Sequence, residues 1–159
     1  MSSNHPRNAQ AEQMTVRTAG RADRGWLYEL HEQAHRSLVE RAYGPWHDEQ
    51  QQGFFQALVD ENEVYILERD QQPVGAVYLV DRDQDVWLEL VEVLPSYQGQ
   101  GLGTGALRWV LGRAAVEGRT TRLQVHRVND DARRLYLAEG FVAEGETSTH
   151  HLLRHPPLG

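Results

Sequence analysis

The chain has 159 residues, and its 16 basic and 23 acidic side chains give a formal net charge of -7 at neutral pH. Every basic side chain is arginine, because the sequence contains no lysine, and it contains no cysteine either. These two absences exclude a Walker-type phosphate loop, an aldimine-forming enzyme, a thiolate nucleophile, a disulfide framework and a cysteine zinc site. The chemistry that remains is that of backbone groups, carboxylates, hydroxyls, imidazoles and guanidinium groups.

Length and charge also narrow the expected organisation and partners. A chain of this size is expected to form one domain with a single core. The acidic balance argues against a nucleic-acid partner and favours a cationic small molecule or a basic peptide. Residues 1–13 are polar and read as a flexible tail without a secretion signal, and no apolar stretch approaches the roughly 20 residues of a membrane helix. The sequence therefore predicts a cytoplasmic protein that does not bind a membrane.

The first elements after the tail are one short strand and two helices. Residues 15–17 read as a strand, and apolar residues then recur every three to four positions from a helix N-cap at Asp23 to Ala42. The Gly44-Pro45 pair interrupts this pattern. A second helix is predicted over residues 48–59.

The next segment alternates with a period of two and predicts an antiparallel meander. Its three strands cover residues 64–68, 74–80 and 86–93, and residues 70–73 have the composition of a hairpin turn. Pro95 ends the third strand because it has no N–H for the ladder.

The last third of the chain mixes helices and strands. The predicted elements are a glycine-rich segment at residues 99–105, a helix that stops at Gly118, a strand at residues 121–125, a helix capped by Asn129 or Asp130 and running to Glu139, and closing strands at residues 141–142 and 147–153. The whole layout is mixed α/β.

The glycine-rich segment is the most informative part of the sequence. Its glycines allow positive φ angles and bring successive N–H groups close to a ligand. The helix that follows directs its unsatisfied N–H groups and the positive end of its dipole at the same point. This arrangement predicts an anion site that needs no lysine, and a pyrophosphate is its natural ligand.

A dinucleotide is one possible source of that pyrophosphate, since Gly101-x-Gly103-x-x-Ala106 matches the fingerprint G-x-G-x-x-G/A. In dinucleotide-binding folds the loop follows the first strand, and an acidic residue comes about 20 positions later. Here the loop follows a three-stranded meander, and the next strand ends in His126-Arg127. The context therefore disfavours a nicotinamide dinucleotide.

Two motifs resemble another family. The loop motif Gln98-x-x-Gly101-x-Gly103 is similar to the coenzyme A loop R/Q-x-x-G-x-G/A of the GNAT superfamily of N-acetyltransferases. A later segment is similar to a second motif of that superfamily at the expected distance, namely Asn129-x-x-Ala132-x-x-Leu135-Tyr136-x-x-x-Gly140-Phe141. The resemblance covers roughly residues 14–155. It implies a single-domain GNAT-type acyl-CoA N-acyltransferase fold, with a mixed, mostly antiparallel sheet flanked by helices.

The resemblance also implies roles for particular residues. Backbone groups of Val91 and Val93 would align the pantetheine arm and the acetyl carbonyl, and Asn129 would contact the pantetheine. The pyrophosphate would be held by Gln98, Gly99, Gln100, Gly101, Leu102, Gly103 and Thr104. Many members have arginine where this chain has Gln98, so the loop here depends more on its N–H groups. The adenosine 3′-phosphate has three open candidates, Arg108, Arg133 and Arg134, and a homodimer is plausible by resemblance.

The implied function is direct acetyl transfer from acetyl-CoA to a primary amine of a small molecule, peptide or protein. Such an amine has a pKa near 10.4 and arrives as an ammonium, so a base must accept its proton. Glu89 and Glu92 are the candidates, acting directly or through a water, one on each face of their strand by alternation, with Glu92 slightly favoured. Tyr136 would stand beside the thioester sulfur and donate a hydrogen bond or a proton to it. The alternative is a non-catalytic sensor module that binds coenzyme A or an acyl-CoA.

One further motif, His31-Glu32-Gln33-Ala34-His35, spells the H-E-x-x-H of zinc proteases. Such a site needs a third ligand and a cleft, and the other histidines form no recognised third-ligand spacing. The apolar stripe of the helix leaves His31 and His35 at its margin. The sequence therefore predicts an exposed helix face and no metal.

Overall fold

The computed structural model describes residues 14–157, which form a single α/β domain. Its strands are β1 Met14–Thr18, β2 Glu63–Arg69, β3 Gln72–Asp81, β4 Asp85–Val93, β5 Thr120–His126, β6 Val142–Glu146 and β7 His150–His155. Its helices are α1 Arg24–Tyr43, α2 Asp48–Glu61, α3 Leu102–Val116 and α4 Asp130–Ala138. The tail predicted over residues 1–13 lies outside the described residues. Among the described helices, none is long and apolar enough to cross a membrane.

The seven strands form one sheet in the order β1-β2-β3-β4-β5-β7-β6. Every neighbouring pair is antiparallel except β4 and β5, which run parallel. That parallel pairing is short, with Asp85 opposite Thr120 and Trp87 opposite Arg122 at its two ends. Because β4 continues to Val93 and β5 continues to His126 without pairing to each other, a cleft opens between the two strands. The predicted mixed, mostly antiparallel sheet flanked by helices is confirmed.

Apolar layers on the two faces of the sheet hold the helices in place. Between α3 and the sheet, the buried layer includes Leu107 of the helix and Leu79 and Leu123 of the strands. Beneath α1 and α2 it includes Leu30 and Tyr78. The cleft between β4 and β5 is therefore bordered by helices that are anchored on both faces.

A bulge in β4 changes which face its side chains reach. Leu88 pairs with Leu79 and Leu90 pairs with Tyr78, so Glu89 is the extra residue of the bulge. Leu88 packs in the layer beneath α3, whereas Leu90 packs in the layer beneath α1. The simple alternation expected for Glu89 and Glu92 is therefore wrong, because the bulge shifts its phase between them.

Two predicted boundaries also move, for local reasons. The β2–β3 turn contains only Asp70 and Gln71, whose φ angles of 52° and 64° are those of a two-residue hairpin turn. The final strand begins at His150 rather than at Thr147, because the Thr147 hydroxyl accepts hydrogen bonds from the N–H groups of Thr149 and His150 and forms a turn.

Candidate active site

The loop between β4 and α3 presents free backbone N–H groups. Gly99 and Gly101 have φ angles of 79° and 82°, which a residue with a Cβ adopts only with strain. Gly101 is the N-cap of α3, and the first intrahelical bond joins the Gly105 N–H to the Gly101 carbonyl at 2.9 Å. The N–H groups of residues 102–104 therefore have no intrahelical partner and lie at the positive end of the helix dipole. This geometry fits a pyrophosphate.

Most of the predicted coenzyme residues line one groove of about 320 Å³ at this loop. They are Val91, Val93, Gln98, Gly99, Gly101, Leu102, Gly103 and Thr104. Ala132, Leu135 and Tyr136 of α4 form the opposite wall. Two predicted residues lie elsewhere: Gln100 accepts a hydrogen bond from the Arg69 guanidinium, and Asn129 lines a neighbouring cavity.

Arg69 is a cation near the loop that the sequence analysis missed. Its guanidinium lies 5.4 Å from the centre of the Tyr97 ring as well as bonding Gln100. It supplies positive charge beside a loop that has Gln98 in place of the usual arginine. No local signal could have identified Arg69, because it ends β2 and precedes Gln100 by 31 residues.

The three arginines proposed for the 3′-phosphate differ in how they are engaged. Arg108 forms an ion pair with Glu139 at 3.1 Å, and the exposed Arg134 lies 3.6 Å from Asp131. Arg133 is the one of the three whose Nε is buried without a hydrogen-bond partner in the described residues.

Tyr136 lies where the groove meets a second cavity and lines both. It is held by α4, whose N-terminus is capped by the Asn129 side chain accepting a hydrogen bond from the Ala132 N–H at 3.3 Å. Its ring packs against Phe141 with the centroids 5.7 Å apart. Burial raises the pKa of Tyr136 to about 12, so its phenol is protonated at neutral pH.

The second cavity, of about 360 Å³, lies between α1, α2 and the open edges of β4 and β5. Its mouth carries two unusually exposed aromatic side chains, Tyr43 at 67% and Phe54 at 59% exposure. Among the described residues lining it, Glu89 is the one carboxylate, and it accepts a hydrogen bond from Trp87 Nε1 at 2.6 Å. Histidines line it as well: His31, His35, His126 and His150.

Glu92 lies behind this cavity and contacts two of those histidines. Its carboxylate is fully buried, and Oε2 lies 3.0 Å from His31 Nδ1 and 2.8 Å from His35 Nδ1. Burial raises the pKa of Glu92, but the hydrogen bonds and charges of the two imidazoles lower it more, so the net pKa falls below its ordinary value of 4.5. The histidines share one face of α1 because they are four residues apart, and their rings stack 5.2 Å apart.

A comparison of the sequence with known families identifies the fold that builds this site. The Acetyltransferase (GNAT) family matches residues 27–141, which include the glycine loop, Glu92 and Tyr136. The chain belongs to the GNAT family of acetyltransferases. This confirms the resemblance drawn from the two motifs. A sequence search of curated proteins found no match.

Solved structures agree with this assignment of the fold. The ribosomal-protein-S18-alanine N-acetyltransferase from Escherichia coli superposes with a TM-score of 0.70 at 20% identity, covering 92% of this chain and 95% of that one. The PaiA N-acetyltransferase from Thermoplasma acidophilum, in complex with coenzyme A, superposes with a TM-score of 0.73 at 18% identity, covering 90% of this chain and 98% of that one. A GNAT family acetyltransferase from Elizabethkingia anophelis, with acetyl-CoA bound, superposes with a TM-score of 0.70 at 14% identity, covering 91% of this chain and 99% of that one. At these identities the likeness shows the fold, and acetyl transfer is the activity that the family supports in general.

Within this GNAT domain the H-E-x-x-H motif differs from the sequence prediction. His31 is buried and His35 is half-buried, so the exposed helix face predicted for them is wrong. The physical reason is that α1 lies across β4, where the ionised Glu92 gives both imidazoles a buried partner. Glu92 follows His31 by 61 residues, which no search for histidine spacing could reveal.

The two imidazoles and the Glu92 carboxylate also have the composition of a zinc site. One ligand atom from each of His31, His35 and Glu92 lies within 4.8 Å of the others. Tetrahedral zinc, with bonds of about 2.0–2.1 Å, holds its ligand atoms about 3.3 Å apart. The separations of 3.0 and 2.8 Å from Glu92 are hydrogen-bond lengths instead. Glu32, the motif residue that serves as base in a zinc protease, forms an ion pair with Arg36 at 3.0 Å.

Proposed function

We propose that this GNAT domain is an acetyl-CoA-dependent N-acetyltransferase that acts on a primary amine. The observation that carries the proposal is the position of Tyr136 at the junction of two concave sites. One site has the free N–H groups that suit a pyrophosphate, and the other has room for a small acceptor. A direct transfer needs its two substrates to meet at one point, and this junction provides it.

Acetyl-CoA is a substrate here, and the groove offers suitable groups for its pyrophosphate and its pantetheine arm. The N–H groups of residues 99–104 suit the pyrophosphate, with Arg69 adding positive charge nearby. Val91 and Val93 lie on the part of β4 that has no pairing to β5, which leaves backbone groups of this segment for the pantetheine amides. The Val93 carbonyl itself accepts a hydrogen bond from the Gln98 side-chain amide at 3.2 Å. Asn129 keeps its amide N–H groups available, because its oxygen caps α4.

The reaction needs one proton to leave the amine before attack and one to reach the sulfur afterwards. The ammonium gives its first proton to a base, for which Glu92 and Glu89 are the candidates. The nitrogen lone pair then forms a bond with the thioester carbonyl carbon. As the C–S bond breaks, its electron pair goes to sulfur, and the second nitrogen proton neutralises the thiolate. The products are the amide and the free thiol of coenzyme A.

Tyr136 acts in this scheme as a hydrogen-bond donor to the sulfur. Its pKa of about 12 lies above that of a thiol, near 8.5, so complete transfer of its proton to sulfur is uphill. A protonated phenol nevertheless stabilises charge as it develops on sulfur. The raised pKa keeps that donor available across the neutral range.

The acceptor cavity supports an amine that carries an apolar group. Phe54 and Tyr43 expose aromatic rings at its mouth, and Leu38 and Val39 line its wall. Glu89 is placed to attract the ammonium of the same molecule. Both a small arylalkyl or alkyl amine and the N-terminus of an apolar peptide satisfy this description.

The test is to incubate the protein with acetyl-CoA and a panel of primary amines while free thiol and coenzyme binding are measured. Thiol release that depends on one class of amine supports the enzyme. Tight coenzyme binding with no release for any amine would favour the non-catalytic sensor. Failure to bind coenzyme A at all would overturn both.

A further inference from the structure

The buried carboxylate of Glu92 is separated from the acceptor cavity by two imidazoles. Its side chain has 0% exposure, while His31 and His35 line the cavity wall with side-chain exposures of 9% and 21%. An amine in the cavity therefore meets an imidazole before it can meet the Glu92 carboxylate. Of the two rings, His35 is the more accessible.

The tautomer of each imidazole follows from the carboxylate that both rings share. A carboxylate whose pKa is lowered is ionised at neutral pH and can only accept hydrogen bonds. His31 Nδ1 forms a hydrogen bond with this Oε2 at 3.0 Å, and His35 Nδ1 lies 2.8 Å from the same oxygen. Because that oxygen can only accept, a nitrogen this close to it carries a hydrogen rather than a lone pair. In a neutral imidazole the remaining lone pair is then on Nε2, on the side of the ring away from Glu92.

We propose that His35 Nε2 is the general base that accepts the proton of the acceptor amine, and that Glu92 and His31 are positioning residues for it. The inference rests on the proposed acetyl transfer and replaces the carboxylate base of that scheme with an imidazole. Glu92 fixes the tautomer and ring orientation of His35 and stabilises the imidazolium that forms. His31 stacks on His35 and shares the same carboxylate oxygen.

The proton balance of this step is closed. The ammonium proton moves to His35 Nε2, which becomes cationic while its Nδ1–H bond to Glu92 is kept. The nitrogen lone pair forms the new bond to the acetyl carbon, and the electron pair of the broken C–S bond goes to sulfur. The second nitrogen proton passes to that sulfur, which leaves as the free thiol of coenzyme A. His35 returns its proton to water after the products leave.

Other ionisable groups around the cavity determine the charge that His35 experiences. They are Tyr43 of α1, Tyr78 of β3, Glu89 and Glu92 of β4, His126 of β5, Tyr136 of α4 and His150 of β7. The residues of α2 that line the cavity are not ionisable. Glu92 is the one in direct contact with His35. Tyr78 is neutral, because burial and the charge of Glu92 raise its pKa far above its ordinary value.

The decisive variant is His35→Asn, because an asparagine amide can still donate to Glu92 from the position of Nδ1 but has no counterpart of Nε2. We expect kcat to fall by roughly 10²-fold or more, with coenzyme A affinity unchanged. The residual rate should rise with pH as more acceptor becomes neutral. An acceptor whose amine is already neutral at the assay pH should remove most of the difference between variant and wild type.

The matched control is His47→Asn, since His47 is exposed and lines neither the groove nor the acceptor cavity. It should keep wild-type kcat. Wild-type kcat in His35→Asn with an ammonium acceptor would overturn the proposal. Wild-type protein that releases no thiol with any amine would instead overturn the proposed function, and the base with it.

Nitrogen NMR of the histidines provides a readout that does not depend on activity. Both His31 and His35 should be protonated at Nδ1 when neutral, and Glu92→Gln should change the signals of both rings. Protonation of His35 at Nε2 would overturn the proposal. Stoichiometric zinc in protein purified without chelators would also overturn it, because a metal would occupy the Nδ1 atoms.

Discussion

His35 Nδ1 of α1 lies 2.8 Å from the buried Oε2 of Glu92 on β4. This contact joins a helix on one face of the sheet to the strand that borders the groove at the glycine loop. In the proposed mechanism the base is therefore an imidazole held by a buried carboxylate, and not a carboxylate of the strand acting alone. The two groups together have consequences for stability as well as for catalysis.

The first prediction concerns Glu92→Gln and pH. The folded-state pKa of Glu92 lies below its ordinary value of 4.5, so ionisation of Glu92 stabilises the folded protein. This stabilisation is fully present above pH 4.5 and is lost as the pH falls through the folded-state pKa. Urea unfolding should therefore show a steeper loss of stability below about pH 4.5 in wild type than in Glu92→Gln. At pH 7 the variant should be less stable by about 1–3 kcal/mol, because one buried partner of the histidines is weakened. Equal slopes in the two proteins would contradict the lowered pKa.

The second prediction concerns Tyr136→Phe. Removing the hydroxyl should lower kcat on the order of 10²-fold while leaving coenzyme A affinity and folding stability nearly unchanged. Since burial raises the pKa of Tyr136 to about 12, ionisation of Tyr136 should produce no alkaline loss of activity below about pH 11. Steady-state kinetics with isothermal titration of coenzyme A measures both effects. Full turnover in the variant would remove Tyr136 from the mechanism.

Much of this site could be predicted from the sequence because its determinants are local. Gly99 and Gly101 are required where the chain adopts positive φ, and Asn129 caps the helix that carries Tyr136. The contacts of Glu92 could not be predicted, since they depend on how α1 packs across the sheet. The contact of Arg69 with the loop could not be predicted either, because it too joins residues that are far apart in the sequence.

The third prediction distinguishes a role of the glycine loop in coenzyme A binding from a general effect on the stability of α3. Gly101→Ala places a Cβ at a φ angle of 82°, which should cost about 1–2 kcal/mol of folding stability and weaken coenzyme A binding. Gly112→Ala is the matched control in the same helix, where a Cβ meets nothing within 4 Å. It should stabilise the fold by about 0.5–1 kcal/mol and leave binding unchanged. Thermal unfolding and calorimetric titration with coenzyme A compare the two variants. Equal coenzyme A affinities in both would contradict a role of the loop in binding.

The fourth prediction assigns Glu89 to acceptor binding rather than to proton transfer. Glu89→Gln should raise KM for a cationic amine several-fold while changing kcat little, because the charge that attracts the ammonium is lost. KM for an uncharged acceptor of the same shape should not change. A fall in kcat comparable to that of His35→Asn would instead identify Glu89 as the base.

The central claim is that an acetyl group passes directly from acetyl-CoA to an amine at the junction marked by Tyr136. Its most direct test follows acetyl-CoA carrying an isotopically labelled acetyl group, with free thiol and labelled amide quantified in the same sample. Direct transfer should give equal amounts of the two products, formed only when the amine is present. Thiol released without labelled amide, or no reaction with any amine despite coenzyme binding, would contradict it.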